Sequence, residues 1–445
     1  MRSVALYMSL CSLVAVSQAA TRPVGFYPIG NVAPSHTYSY GTAVSSDGNV
    51  IAGESGLSPF GPADTAAGLW FGPAWSLTSS VPSTNTIEPY ALIWDLNQGG
   101  TVGVGLTAIA TGDPLDPTVS VPGRWTSASG FVPLSTLSGQ AHALNATGDV
   151  VVGHLTGSTT ALAAFRWTAA TGIVELPTAG GSASNTLHIA YGVSADGDIV
   201  VGRSRNASGQ NVAFVWTAAL GTRELPQLPS AAGASRGQAR GINAAGNVIV
   251  GWARDSGGAP NAARWIFDRS TGTATVESLG DIPGGTGAAL PDGISFGVSD
   301  DGNVIVGQSD GPNGDEAFVW IKGRGMFSLR QLLIDEYGES ELVDWSLDSA
   351  EDVSADGSVI TGYGTLDGET QAFVAVIRVP CKGDLNADTF VDDSDFVIFA
   401  NAYNILDCND PVMPAGCPSD LNNDGFVDDS DFVLFAEAYN NLLCP

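Results

Sequence analysis

The sequence predicts an all-β, seven-bladed β-propeller followed by a small all-α C-terminal module. Three observations carry this expectation. A ten-residue phrase returns about every 50 residues, each unit contains four short strand-like runs, and after Pro380 the chain turns abruptly cysteine- and aspartate-rich. A period near 50 with four strands per unit is the signature of propeller blades.

The phrase is clearest as VSADGDIVVG, Val193–Gly202. Related copies centre on Gly48, Gly148, Gly197, Gly246, Gly302 and Gly357, and a degenerate copy, LNQGGTVGVG, centres on Gly100. Each copy places an Asp-Gly-type turn between two apolar runs, the second rich in β-branched residues, which predicts a hairpin with a type I′ turn. A third run follows, for example Ala213-Phe214-Val215-Trp216. The fourth is of the Arg223-Glu224-Leu225-Pro226 kind. The seventh unit ends at Ala372–Ala375 without a fourth run. Gly25–Gly30 resembles that missing run, so the N-terminal strand is expected to complete the last blade and close the ring.

Residues needed once per blade serve the fold before they serve chemistry. Trp70, Trp125, Trp167, Trp216, Trp265 and Trp320 recur at one position and read as packing between blades, and Asp47, Asp196, Asp301 and Asp356 read as turn residues. Catalysis would instead need groups unique to one blade. His154 with His188 is one such candidate, and a pair drawn from Glu54, Asp113, Asp116, Asp255, Asp310, Asp315 and Glu316, read as loop carboxylates, is another. The variable segments 178–188, 226–236 and 281–293 are where specificity is expected. Asn145-Ala146-Thr147 and Asn206-Ala207-Ser208 match the glycosylation sequon. The strands AFRW, AFVW, AARW and AFVW, beginning at Ala164, Ala213, Ala262 and Ala317, resemble the HAF extracellular repeat family over roughly residues 24–378. That resemblance implies a propeller and no defined chemistry.

The tail contains two matching segments offset by 36 residues, with Asp384-Leu385-Asn386 aligned to Asp420-Leu421-Asn422. Each carries oxygen donors at positions 1, 3, 5, 9 and 12 of a loop, with a main-chain carbonyl at 7. These are Asp384, Asn386, Asp388, Phe390 (carbonyl), Asp392 and Asp395, then Asp420, Asn422, Asp424, Phe426 (carbonyl), Asp428 and Asp431. Alternating oxygens in a tight loop suit a hard cation, so two calcium ions are expected, and the crowded carboxylates should couple metal binding to folding. Position 6 is Gly425 in the second loop and Thr389 in the first, which predicts a weaker first site. An amphipathic helix follows each loop, with Phe396, Phe399 and Tyr403 in the first and Phe432, Phe435 and Tyr439 in the second.

Loop then helix, twice, with Asp at position 12, resembles a type I dockerin. The resemblance implies a cohesin-type partner chosen by Asp393-Ser394 and Asp429-Ser430, identical in the two halves. The chain departs from that family in its long connection, 404–419, and in Cys381, Cys408, Cys417 and Cys444. Four cysteines allow three pairings. The closeness of dockerin termini favours Cys381–Cys444 with Cys408–Cys417.

Composition sets the outer bounds. There are 46 Asp and Glu against 17 Lys and Arg, a net charge of −29. A chain this acidic repels phosphate backbones and excludes nucleic acid as a natural partner. Arg2, the apolar run Val4–Val16 and Ser17-Gln18-Ala19 read as a signal peptide over 1–19, ahead of a propeller over 20–379 and a module over 380–445. No segment reaches the length of a membrane span. The expected protein is secreted or held at the cell surface. It is a non-catalytic propeller for binding or display, with a possible glycan ligand and attachment through the calcium module. The alternative is a dockerin-bearing glycoside hydrolase or lyase acting on polysaccharide.

Overall fold

The computed structural model describes residues 23–441, apart from 58–64, 73–75, 82–90, 114–115, 157–161, 181–186, 230–236, 256–257, 286–292, 380–382, 387–390, 409, 415–416 and 423. The expected signal segment, Cys381 and Cys444 therefore lie outside the described residues. Seven antiparallel four-stranded sheets form the bulk of the molecule. Their first strands are Tyr38–Val44, Ala91–Leu96, Gly139–Leu144, Ile189–Val193, Gly237–Ile242, Gly293–Val298 and Trp345–Val353. Each touches the next, and the last touches the first, so these strands surround one axis. The seventh blade is completed by Gly25–Pro28, which pairs antiparallel with Glu369–Val376. Phe26 seals this seam against Trp345 and Phe373, with ring centroids 5.0 and 5.7 Å away.

The repeated phrase is a turn with its own wiring. The Gly48 amide donates to the Ser45 carbonyl and Ser45 N to the Val50 carbonyl. Gly48 has φ +68°, and Asp47 is not in the left-handed region. The expected type I′ turn, which needs positive φ at both central residues, is therefore replaced by a turn that closes on a single left-handed glycine. Two side-chain solutions hold it. In blades 1, 4, 6 and 7 a serine accepts the amide that opens the second strand and donates to the turn aspartate, as in Val50 N to Ser45 and Ser45 Oγ to Asp47 at 2.7 Å. In blades 2, 3 and 5 an asparagine takes the place of the serine: Asn97, Asn145 or Asn243 accepts two successive amides. Turn chemistry thus accounts for the repeated aspartates. It also buries Asn145 and uses its amide, which makes that sequon a poor glycan acceptor.

Neighbouring turns also bond to one another. Backbone N–H groups of Ser46, Gln98, Ala146 and Ala195 donate to the carbonyls of Gln98, Ala146, Ala195 and Ala244 in turn, and Asp300 donates to Ala355, which donates to Ser46. At the remaining step Asn243 Nδ2 donates to the Asp300 carbonyl at 2.9 Å. The result is a collar around one mouth of the axis. The recurrent tryptophans pack between blades, as expected. Trp70 sits against Val359, Ala372 and Val374 of blade 7, and Trp265 donates from Nε1 to the Pro226 carbonyl of the preceding blade at 2.7 Å.

An α-helix and a 3-10 turn, Ser340–Asp344, interrupt the β pattern. Helix α1, Leu329–Tyr337, lies between blades 6 and 7, capped by Ser328 and stopped at Gly338 in the left-handed region (φ +74°). Its buried Leu329, Leu332 and Leu333 have helical spacing. In the tail, α2 (Asp393–Tyr403) and α3 (Asp429–Asn441) share a small core with Val391, Phe399, Met413, Leu421, Val427 and Phe435. The Phe399 and Phe435 rings stack at 5.0 Å. A disulfide joins Cys408 and Cys417.

Candidate functional sites: an axial cavity and a carboxylate-lined loop

Every first strand of the propeller carries the same irregularity. Register slips by one residue, and the slipped residue is left unpaired, at Thr42, Trp94, His142, Tyr191, Arg240, Phe296 and Glu351. A bulge re-aims the side chain it frees. All seven of these residues line one cavity of about 490 Å³ on the propeller axis. Each stands six residues before a turn glycine, so the blades repeat the bulge but not the residue on it. The position six residues after the glycine varies in the same way: Glu54, Leu106, His154, Arg203, Trp252, Gln308 and Tyr363. From this second set Glu54 and Tyr363 line the cavity, and His154 bonds to His142.

One arc of the wall is a continuous stack. Trp94 and His142 lie nearly parallel at 5.3 Å, His142 meets Tyr191 at 5.0 Å, and the Arg240 guanidinium sits 4.4 Å from the Tyr191 ring centre and 5.5 Å from that of Phe296. His142 Nε2 and His154 Nδ1 are 3.0 Å apart. Burial, then neighbouring positive groups, pushes His142 well below the usual histidine range and His154 to about 4, so both rings are neutral at pH 7. The histidine pairing therefore differs from the sequence expectation. His188 turns instead to Ser204, at 2.8 Å, and stacks on Phe214.

The opposite arc is acidic and tyrosine-rich. Tyr40 and Tyr363 meet edge to face, 4.7 Å apart at 89°. Glu54, expected in a loop, stands instead on the strand Val50–Gly56 beside Tyr40. Desolvation pushes its carboxyl up to about 7, and its Oε2 is buried with no hydrogen-bond partner. Asp95 and Asp352, at equivalent places in blades 2 and 7, brace the seams to the next blade. Asp95 accepts from Leu96 N and Leu144 N, and Asp352 from Val353 N and Val44 N, all at 2.8 or 2.9 Å. Burial raises both, to about 8 and about 7. Glu351 accepts from Ser349 Oγ at 2.6 Å and feels the Arg240 charge. Sequence reading missed Asp95, Glu351, Asp352, Arg240 and the aromatic arc. Arg240, Glu351 and the aromatic arc stand in a column at which seven otherwise matching copies disagree, and Asp95 and Asp352 stand one residue after it.

In the tail, loop positions 1, 5 and 12 of the second repeat converge: carboxylate oxygens of Asp420, Asp424 and Asp431 lie within 4.8 Å of one another. Oxygens sharing a calcium ion at about 2.4 Å can be no farther apart than about twice that, so the set fits the expected ion. Asp431 is fully buried and accepts from Leu421 N, Asn422 N and Asp428 N, which leaves one of its lone pairs for a cation. Asp420 accepts from Gly425 N at 3.0 Å, and Gly425 takes φ +92° at the sharp turn expected there. Asn422 and Asp424 are exposed beside it, and Asp428 is half-buried. The first repeat wires Asp395 identically, to Leu385 N, Asn386 N and Asp392 N, and buries Asp384. Asp388 and Phe390 lie outside the described residues. Cys408 and Cys417 also approach Asp420, but their sulfurs are spent on the disulfide.

The two halves are linked reciprocally. Tyr403 donates to Asp429 at 2.5 Å and Tyr439 to Asp393 at 2.6 Å. Asp393, Ser394, Asp429 and Ser430 are all exposed, beside the exposed apolar pairs Phe396 and Val397 and Phe432 and Val433. No helix among the described residues is long and apolar enough to cross a membrane.

No protein-family model and no curated protein matches this chain. Among solved structures it is similar to TolB from Acinetobacter baumannii (13% identity, TM-score 0.40, 63% of each chain covered). It is also similar to the β-propeller domain of the Trilobed protease from Pyrococcus furiosus (10%, 0.40, 64% of this chain and 83% of that one) and to an acylaminoacyl peptidase from Pyrococcus horikoshii (11%, 0.37, 62% and 44%). The chain thus spans under two thirds of the TolB it matches. The seven sheets themselves establish the fold; likenesses this distant say nothing of ligand or activity.

Proposed function

We propose that this protein is an exported, non-catalytic binding propeller. Its C-terminal dockerin-like module, loaded with two calcium ions, attaches it to a cohesin-type or cell-surface partner. The observation that carries the attachment half is the identical wiring of Asp395 and Asp431. Two loops independently place a buried carboxylate at position 12, and two exposed Asp-Ser pairs sit at matching places on the helices that follow. If calcium is bound, Asp420, Asn422, Asp424, Asp428, Asp431 and the Phe426 carbonyl are its ligands in the second loop, and the ion supplies the charge that neutralises them. The equivalent first-loop set is Asp384, Asn386, Asp388, Asp392, Asp395 and the Phe390 carbonyl.

Calcium titration of the full chain by calorimetry tests this reading: two sites are expected, the first-loop site weaker. Surface plasmon resonance against an immobilised cohesin domain should show binding that chelator abolishes. Absence of both effects would sink the proposal. A second reading, a carbohydrate-active enzyme, draws support from Glu54 and Glu351 in one cavity, since a carboxyl held near 7 can act as a general acid. Release of reducing ends from a polysaccharide panel would favour it.

A further inference from the structure

The proposed function leaves the ligand of the propeller unnamed; the inference drawn here rests on that binding reading and names the ligand class. The axial cavity falls within the volume range of small-molecule sites, about 300–1,000 Å³. Its charges can be assigned partners one by one. Four carboxyl groups line it (Glu54, Asp95, Glu351, Asp352) against one guanidinium, Arg240, while His142 is neutral. Asp95 and Asp352 each accept two backbone amides. Glu351 has Ser349 and the field of Arg240, and Arg240 is lodged against the Tyr191 and Phe296 rings. Glu54 remains. One of its oxygens is buried without a partner, and no cation among the described residues answers it.

The surroundings of Glu54 indicate what would answer it. Tyr40, its cross-strand neighbour, and Tyr363 stand at right angles and form the corner of a box. The negative faces of aromatic rings attract an ammonium, and more strongly where water is excluded. A neutral sugar would gain hydrogen bonds here but leave the charge of Glu54 uncompensated. An anion would meet an excess of carboxylates. We propose that the axial cavity binds a small organic cation, an amine on a compact carbon frame, with its ammonium held between Glu54 and the corner formed by Tyr40 and Tyr363.

Charge separates the three sugar probes. Glucosamine, glucose and glucuronate share one frame, and putrescine carries amines on another. Calorimetry with the full chain at pH 7.5 should show binding of glucosamine or putrescine at least about 10-fold tighter than glucose or glucuronate. Glu54→Gln should lose at least that factor while raising the thermal midpoint of the ligand-free protein, because it removes an unpaired buried charge. A purely structural carboxylate would behave oppositely. Tyr363→Leu, which keeps the charge and removes one wall, should also weaken amine binding. Equal affinity for glucose and glucosamine, preference for glucuronate, unchanged binding in Glu54→Gln, or no binding of either amine each overturns the inference. Calcium titration on the same samples keeps the two ideas apart: amines failing while calcium binds normally refutes only the cation site, whereas glucose binding alone leaves a binding propeller with a different ligand.

Discussion

The propeller and the tail are both built by repetition, and they put their chemistry in opposite places. In the propeller the repeated residues are spent on turns, strands and inter-blade packing, and the cavity is furnished largely by positions at which the copies differ. In the tail the repeated residues are the candidate ligands, and each loop is its own site. The difference follows from geometry. Seven blades converge on one axis, so equivalent positions meet and can share a site only by differing. Each tail loop carries its own complete set of proposed donors, so none need be shared between the repeats.

The largest expected effect tests closure. Deleting residues 23–30 removes the outer strand of blade 7 and the Phe26 seal, and should abolish the cooperative thermal transition of the propeller. A retained sharp transition would show that the ring does not depend on its N-terminal strand.

Two aspartates then sharpen the comparison directly. Asp431→Ala leaves three backbone amides without their acceptor and removes a proposed ligand. It should cost at least about 100-fold in calcium affinity at one site and on the order of 3 kcal/mol of module stability, read by calorimetry and chemical denaturation. Asp196→Ala, in a repeated turn of the propeller, should cost only about 1 kcal/mol and leave calcium and cavity binding unchanged. If the two substitutions behaved alike, the contrast between the regions would fail.

Glu54 is comparable to Asp431 in the size of its expected effect. Its folded-state pKa, about 7, is above its ordinary value of 4.5, so its contribution favours folding below about pH 4.5 and is lost as pH rises through 7. Glu54→Gln has no such titration. Its stability advantage over the wild type should therefore grow from pH 4.5 to 7 and level off above, at roughly 3 kcal/mol. Denaturant midpoints measured from pH 4 to 8.5 check this, and a constant difference would remove the buried unpaired charge from the account.

Much of the architecture was legible because repeats expose it. The period, the four runs per unit and the spare N-terminal run place every blade and the closing strand. The type I′ turn was misassigned because the Ser-x-Asp and Asn side chains, not visible in a hairpin rule, hold a different turn. Helix α1 falls outside the repeat pattern because it occurs once, although Ser328, Leu329, Leu332, Leu333 and Gly338 spell a capped amphipathic turn. Glu54 looked like a loop residue only because it follows the glycine that ends the repeated phrase.

The sequence by itself determined the blade count, the manner of closure and the spacing of the tail donors, since each depends on local pattern and repetition along the chain. Only the tertiary structure decided which residues meet on the axis. Trp94, His142, Arg240 and Glu351 become neighbours because seven bulges turn seven side chains toward one point, and the second strand of blade 1 adds Glu54. Burial there, and not residue type, leaves Glu54 as the carboxyl without a partner.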